Sequence, residues 1–250
     1  MTRFLYLGCL IPIQFPEVEK ATRDTLERLK IEYSDMNRAS CCMPPGLFGF
    51  HKESWLRLNR RNLSLANDTV ITPCDECFAS LQDARAILIE EAKNIPEIKP
   101  FPQLIAENLG AAKEAVQRNL GLKCAVQQSC HLLRPSQIRK IDDPESPSLL
   151  GELLRNIGCV KVDCIDELAC CGGLVAEYTG VGLKLGQQKA KAFAESGADC
   201  IVTTCAHCLR QLTRVNHTLP IFHLAQLYAL AFGSKPSLVG IPRMLKVGRR

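Results

Sequence analysis

The sequence Val70-Ile71-Thr72-Pro73-Cys74-Asp75-Glu76-Cys77 recurs in outline as Ile201-Val202-Thr203-Thr204-Cys205-Ala206-His207-Cys208. In both copies a β-branched run, which is typical of a buried strand, leads directly into a CxxC sequence. Each stretch is therefore predicted to be a strand that delivers two thiols to the loop following it.

The other cysteines of the two regions repeat in the same order. Each half contains a single cysteine, an adjacent pair and a CxxC, and the copies lie about 121 to 131 residues apart in a chain of 250. Flanking residues repeat as well, which indicates an internal duplication. The first copy comprises Cys9, Cys41, Cys42, Cys74 and Cys77, and the second comprises Cys130, Cys170, Cys171, Cys205 and Cys208.

The segments between these cysteines predict alternating strands and helices. In each half an apolar run ends at the single cysteine, a helix follows, and a short strand precedes the pair. The strands are predicted at residues 3–9, 31–33, 123–130 and 160–162, and the helices at 16–30 and 147–157. Such alternation predicts an α/β fold of two Rossmann-like parallel-sheet domains related by a pseudo-twofold axis. We expect domains at residues 1–120 and 121–233, followed by a basic tail at 234–250.

Every cysteine group of the repeat follows a predicted strand. In open parallel sheets, ligands bind beyond the carboxyl ends of the strands. The fold is therefore expected to gather five thiols at one edge of each sheet, although they are scattered in sequence.

The charge of the chain argues against a nucleic-acid-binding protein. The formal net charge is +5, but the stretch from Ser234 to Arg250 holds five basic residues and no acid, so the rest is close to neutral. One Trp and four Tyr offer few platforms for base stacking. A basic tail of this kind is typical of a solvated or partner-docking end.

Composition also limits the cellular compartment and the role of the thiols. No apolar run is long enough for a spanning helix, and the apolar run before Cys9 is too short for a signal peptide. We therefore expect a cytoplasmic protein that is not integral to a membrane. In a reducing compartment, fourteen cysteines indicate metal or redox chemistry instead of disulfides.

Five thiols in each half favour an iron–sulfur cluster over structural zinc, since zinc and ordinary cubane clusters take four ligands. An adjacent pair can reach one centre only where that centre is large or the backbone turns. The ferredoxin run C-x-x-C-x-x-C is absent from the sequence. Electrons are therefore expected to come from a partner that carries its own redox centres.

Several longer motifs resemble the duplicated CCG cysteine-rich domain of the heterodisulfide reductase B subunit, over roughly residues 3–233. They are Gly8-Cys9-Leu10-Ile11-Pro12, Ser40-Cys41-Cys42, Ser129-Cys130-His131-Leu132-Leu133-Arg134-Pro135-Ser136 and Cys170-Cys171-Gly172-Gly173. The resemblance implies that each half binds a noncubane 4Fe-4S cluster through its five cysteines, and that a disulfide is cleaved between the two clusters. The implied partners are a ferredoxin-like protein with cubane 4Fe-4S clusters, the C subunit of such complexes, and an FAD protein, their A subunit. Substrates in this family include small disulfides or thiols and, in sulfur metabolism, carrier-bound sulfur.

Other residues carry weaker expectations. Met43 follows the first pair where the family has glycine, and we expect the site to tolerate it. His131 and His207 are candidate catalytic residues, because each lies beside ligand cysteines and could donate a proton to a leaving thiolate. Gly180-Val181-Gly182 with Gly186 is a weak match to a nucleotide-binding loop. The remaining cysteines are expected to be buried structural thiols: Cys124, Cys159, Cys164 and Cys200.

Two alternatives remain open from the sequence. One is a non-catalytic electron-transfer protein, similar to the CCG proteins of lactate, glycolate or succinate oxidation. The other is a scaffold stabilised by zinc.

Overall fold

The computed structural model describes residues 3–90, 94–176, 180–216 and 218–241. Each half contains a four-stranded sheet in which all pairings are parallel, with strand orders β2-β1-β3-β4 and β6-β5-β7-β8. The strands are β1 (Arg3–Leu5), β2 (Tyr33–Asp35), β3 (Val70–Thr72), β4 (Ile98–Pro100), β5 (Lys123–Val126), β6 (Val160–Val162), β7 (Cys200–Thr203) and β8 (Ile221–His223). The fold class predicted from the sequence is confirmed.

Helices connect the parallel strands. In the first half they are α1 (Leu10–Gln14), α2 (Pro16–Arg28), α3 (Lys52–Leu63), α4 (Asp75–Leu88), α5 (Phe101–Glu107) and α6 (Leu109–Ala115). In the second half they are α7 (Cys130–Leu133), α8 (Ser136–Arg139), α9 (Leu149–Asn156), α10 (Gly173–Ala176), α11 (Gly180–Glu195), α12 (Ala206–Val215) and α13 (Leu224–Ala231). Short 3₁₀ helices occur at Pro45–Leu47 and Pro236–Leu238.

The sequence-based element prediction needs three corrections. Strands β1 and β5 end at Leu5 and Val126, well before Cys9 and Cys130, and β2 lies two residues later than predicted, at Tyr33–Asp35. The fourth strands, β4 and β8, were not predicted. Each is only three residues long and leads directly into an apolar helix, so its period-2 pattern is too short to separate from the helical one. The division at residues 120 and 121 stays a prediction.

The central strands form the framework that carries the site. Strands β3 and β7 are buried along their whole length, as expected for parallel strands covered on both faces. Each ends at a threonine whose hydroxyl accepts a hydrogen bond from the amide of the first CxxC cysteine, Thr72 from Cys74 at 3.3 Å and Thr203 from Cys205 at 3.4 Å. The two CxxC loops therefore begin with the same geometry.

The helix that follows the fourth strand of each sheet packs on the other half of the molecule. Helix α13, which follows β8, packs against α2, and α5, which follows β4, packs against α9. Every residue of α13 is buried, and at its carboxyl end the Arg28 guanidinium of α2 donates to the Phe232 carbonyl at 2.6 Å. This exchange joins the halves through one continuous apolar core.

Among the described residues, no helix has both the length and the apolar character needed to cross a bilayer. Most of the predicted basic tail, from residue 242 onward, lies outside the described residues.

Candidate metal centre

The elements of each half bring its five cysteines to one edge of the sheet. Cys74 and Cys205 precede the first residues of α4 and α12, and Cys77 and Cys208 lie in the first turns of those helices. Cys9 immediately precedes α1, and Cys130 is the first residue of α7. Since unpaired amides at a helix N-terminus favour negative charge, these positions suit thiolates.

All ten cysteines of the repeat form one continuous series of neighbouring thiols. In the first half the Cys9 and Cys41 sulfurs are 3.8 Å apart, and those of Cys42 and Cys77 are 3.6 Å apart. The two halves meet where Cys74 and Cys205 are in hydrogen-bond contact. The full order of neighbours is Cys9, Cys41, Cys42, Cys77, Cys74, Cys205, Cys208, Cys171, Cys170 and Cys130, which is symmetric about the Cys74–Cys205 contact.

The adjacent pairs sit in equivalent tight turns. The Met43 amide donates to Cys41 Sγ at 3.4 Å, and the Gly172 amide donates to Cys170 Sγ at 3.3 Å. Both residues have left-handed backbones, with φ of 48° at Met43 and 77° at Gly172. Met43 thus adopts a left-handed conformation that favours glycine, and it occupies the position equivalent to Gly172.

The glycines that follow the second pair have a packing role. A Cβ at Gly172 would lie 2.3 Å from the Gly182 carbonyl oxygen, and a Cβ at Gly186 would lie 3.2 Å from the Cys171 carbonyl oxygen. Helix α11 therefore approaches the cysteine pair closely because these positions lack side chains. Of the glycines that weakly matched a nucleotide-binding loop, Gly186 is explained by this contact, whereas a Cβ at Gly180 would meet nothing within 4 Å.

Neutral amides hold the first pair. Asn59 donates to the Cys42 carbonyl at 2.8 Å, and Asn62 donates to the Cys41 carbonyl at 3.3 Å. The Trp55 indole donates to the Met43 carbonyl at 2.8 Å. All three side chains project from α3, so this helix fixes the turn.

Polar residues of the CxxC sequences join the two sites. The Thr204 hydroxyl donates to the buried Asp75 carboxylate, and Glu76 lies 3.4 Å from His207 Nε2 across the same boundary. Glu76 is 1% exposed, and neither of its carboxylate oxygens has a hydrogen-bond partner among the described residues. Behind the CxxC loop, His223 Nε2 lies 2.8 Å from the Pro73 carbonyl, a further contact between the halves.

The electrostatics of the site follow from crowding and burial. Hydrogen bonds from the Cys42 and Cys9 thiols hold the pKa of Cys41 well below its usual range, and those from Cys130 and Cys171 do the same for Cys170. Burial, together with the thiolates of Cys74, Cys41 and Cys170, raises the pKa of Glu76 to about 9. Glu76 is therefore a protonated, neutral group at pH 7 in this arrangement.

The residues present fit a polynuclear group with thiolate ligands. All five cysteines of the first half line a cavity of about 170 Å³, together with Glu76 and His207. A Cβ at Gly8 would lie 2.6 Å from Cys77 Sγ, so the glycine leaves room for the sulfurs. In the described ranges, no three His, Cys, Asp or Glu side chains are grouped for a single metal ion. A soft, thiolate-rich donor set of this kind suits an iron–sulfur cluster.

The second site is more open. Cys130 and His131 line a surface groove of about 630 Å³, and Cys170 is exposed. Burial, with Arg139 close by, lowers the pKa of His131. Both candidate catalytic histidines thus border a thiol site, His131 at the groove and His207 in the first cavity.

The other four cysteines lie apart from this series. Cys124, Cys159 and Cys200 are buried near the amino ends of the second sheet's strands, and the Cys124 and Cys200 sulfurs are 3.6 Å apart. The prediction of a buried thiol is wrong for Cys164, which is half-buried in the loop after β6. Sequence reasoning missed Asp75, Glu76 and Asn59 as site residues, because their environment depends on contacts between distant segments.

The fold and the site define a duplicated cysteine-rich α/β protein with two adjoining five-thiol sites. A family model described as a cysteine-rich domain, CCG, matches residues 4–82 and again 124–213. The chain is 33% identical to the B subunit of the ferredoxin:CoB-CoM heterodisulfide reductase of Methanosarcina mazei, over 95% of this chain and 91% of that relative. It belongs to the CCG cysteine-rich domain family and, within it, to the family of the heterodisulfide reductase B subunit.

Two further comparisons define the range of relatives. The chain is 24% identical to "Lactate utilization protein A 1" of Bacillus mycoides, over 89% of this chain and 94% of the relative. A crystal structure of a hypothetical protein from Helicobacter pylori matches with a TM-score of 0.67 at 14% identity. That match covers 96% of this chain and half of the other, and it shows the fold alone.

Proposed function

We propose that this chain is the catalytic component of a disulfide or thiol oxidoreductase, acting at two noncubane 4Fe-4S clusters. One cluster is assigned to Cys9, Cys41, Cys42, Cys74 and Cys77, and the other to Cys130, Cys170, Cys171, Cys205 and Cys208. The observation that carries the proposal is the unbroken series of ten thiols that crosses between the halves at Cys74 and Cys205.

Two adjoining sites match the electron count of the reaction. Cleavage of a disulfide consumes two electrons and two protons, RS–SR′ + 2 e⁻ + 2 H⁺ → RSH + R′SH, and each bound cluster would supply one electron. The electrons would come from partner proteins in the cytoplasm, one ferredoxin-like with cubane clusters and one containing FAD. His207 and His131 border the two sites. In the proposed reaction their ring nitrogens would pass protons to the departing thiolates.

The chain's own residues would orient and shield the reacting sulfurs. Six of the ten cysteines are buried, so water has little access to that part of each site. The turns at Met43 and Gly172 fix the adjacent pairs, and the Asp75–Thr204 contact holds the two CxxC loops together. Substrate would approach from the more open second site, at the groove beside Cys130.

Metal analysis after anaerobic purification tests the assignment. We expect about eight iron and eight sulfide per chain, following from two 4Fe-4S clusters. Cys41→Ser should lose about half of that iron, whereas Cys124→Ser, a change at a buried thiol outside the series, should retain it. Stoichiometric zinc with negligible iron would identify a zinc scaffold and end the cluster assignment.

A non-catalytic electron-transfer role is the second candidate, because the relatives include a lactate utilization protein. The two functions differ in their response to thiols. Oxidation in the presence of candidate thiols should produce a new, thiol-dependent EPR signal if the chain handles the substrate itself. If the EPR spectra of the cluster-containing protein do not change with any thiol or disulfide, a role in electron transfer alone is favoured.

A further inference from the structure

Lys189 is a buried cation in the helix that packs on the second cysteine pair. It is 1% exposed, and its ammonium donates to the backbone carbonyls of Asp166, Glu167 at 3.0 Å and Ala169 at 2.5 Å. These carbonyls belong to the loop that ends at Cys170. Lys189 therefore closes this loop over α11 by satisfying three acceptors at once.

The same loop is held by a second contact. The Glu167 side chain accepts from Gln128 at 2.7 Å and pairs with Lys161 at 2.7 Å. The charge of Glu167 is thus balanced by Lys161 on β6. Among the described residues, the Lys189 ammonium donates to carbonyl oxygens of this loop and has no carboxylate within salt-bridge distance, although the Asp166 carboxylate acts on it electrostatically.

The charge of Lys189 acts on the thiols of the second site. Burial lowers the pKa of Lys189, and the negative charges of Cys208, Cys171, Cys164 and Asp166 oppose that shift by stabilising the ammonium. A buried charge is costly unless opposite charge lies close by. A cluster bound through thiolates is anionic, and it would supply that opposite charge.

The first half fixes its pair without a buried cation. Its donors to the pair's carbonyls are the neutral amides of Asn59 and Asn62, also from the helix that follows the pair. Arg61 is the neighbouring cation on that helix, and it is exposed to solvent, where its field is screened. Each site also borders one histidine, and Arg139 near the second site is paired with Asp83. Among these described groups, Lys189 is the charge that distinguishes the sites.

We propose that Lys189 is a positioning residue that makes the two cluster sites unequal, so that the cluster held by the second half is reduced at the higher potential. The inference rests on the proposed function, since it requires a cluster at each site. A reduced cluster carries one more negative charge than an oxidised one. A buried cation that is fixed to the loop ending at Cys170, and that interacts electrostatically with two of the thiolate ligands, stabilises the reduced form. The second site is thereby the first electron acceptor of the pair.

Variants at position 189 separate the effect of the positive charge from the effect of the hydrogen bonds that hold the loop in place. Lys189→Gln keeps a hydrogen-bond donor but removes the charge, and we expect both clusters to remain while one midpoint potential shifts downward. Lys189→Met also removes the donor, and iron per chain should fall by up to half. Lys189→Arg should restore iron content and potential towards the wild-type values. The control is Lys191→Met on the same helix, where the side chain is 77% exposed and lies 3.9 Å from Glu195.

The measurements are iron and sulfide per chain, and EPR-monitored redox titration of the anaerobically purified full-length chain. Unchanged potentials in a fully loaded Lys189→Gln protein would overturn the inference and leave the two-cluster function intact. Absence of iron from the wild-type protein would overturn the function itself.

A second measurement does not depend on folding of the position-189 variants. Cys170→Ser should remove the higher-potential signal of the wild-type protein, and Cys41→Ser should remove the lower one. The reverse assignment would refute the proposed role of Lys189.

Discussion

Replacing Gly172 with alanine tests the close approach of α11 to the second cysteine pair. The residue has a φ of 77°, and the new Cβ would lie 2.3 Å from the Gly182 carbonyl oxygen. A left-handed backbone costs a non-glycine residue about 1–2 kcal/mol. Relieving an overpacked contact costs a further ~1–3 kcal/mol. The expected loss is therefore about 2–5 kcal/mol, or roughly 4–20 °C in Tm for a chain of this size.

The matched control is Gly197→Ala. Gly197 has a similar φ of 72°, but nothing lies within 4 Å of the point where its Cβ would stand, so only the backbone cost applies. We expect that variant to lose about 1–2 kcal/mol. Met43 supports this separation of the backbone cost from the packing cost, because it carries a side chain at a φ of 48° in the equivalent turn of the first half. The left-handed conformation alone is therefore compatible with a side chain, and the neighbouring backbone is what excludes one at position 172.

Thermal unfolding and iron analysis of the two variants provide the assay. Gly172→Ala should melt below Gly197→Ala and lose up to half of its iron, because the clash displaces the turn between Cys170 and Gly173. Equal melting temperatures with full iron in both variants would refute the packing argument.

Three further predictions concern the contacts between the halves. Burial lowers the pKa of His223, so the folded state keeps it neutral while the unfolded chain binds a proton below about pH 6.5. Urea titrations should therefore show the free energy of unfolding falling below that pH, by at most about 1.4 kcal/mol per pH unit from this group. The His223→Asn variant should lose this part of the pH dependence. Leu227→Ala, in the fully buried α13, should cost about 2–5 kcal/mol in the free energy of unfolding, measured by the same titrations. Thr204→Val leaves the buried Asp75 carboxyl without its hydroxyl donor and should cost about 1–3 kcal/mol.

Each of these changes has a control or a result that contradicts it. An unaltered pH profile in His223→Asn would show that other groups cause the acid instability. Leu238→Ala, at a side chain that is 45% exposed, should be nearly neutral beside Leu227→Ala. Thr218→Val removes a hydroxyl from a partly exposed loop and should cost less than Thr204→Val. A Thr204→Val protein as stable as the wild type would mean that the Asp75 carboxyl finds another partner.

The sequence by itself determined the duplication, the α/β class and the two groups of five cysteines. These follow from local signals, since β-branched runs, helical periodicity and cysteine spacing are all read within a few residues of each other. The prediction that the thiols of each half converge also needed only the rule that parallel strands end at one edge of a sheet. The short strands β4 and β8 were not predicted, because three residues are too few to show the period-2 alternation of a strand.

Only the tertiary structure decided how the two halves meet. The exchange of α5 and α13 between halves and the Cys74–Cys205 contact join residues that lie far apart in the sequence, and no local pattern encodes such pairs. The same holds for Lys189, which in the sequence is one of several lysines on an amphipathic helix. Its burial against three carbonyls accompanies the close approach of that helix to the cysteine pair, for which Gly172 and Gly186 leave room. The proposed electrostatic difference between the sites is therefore a property of the packing.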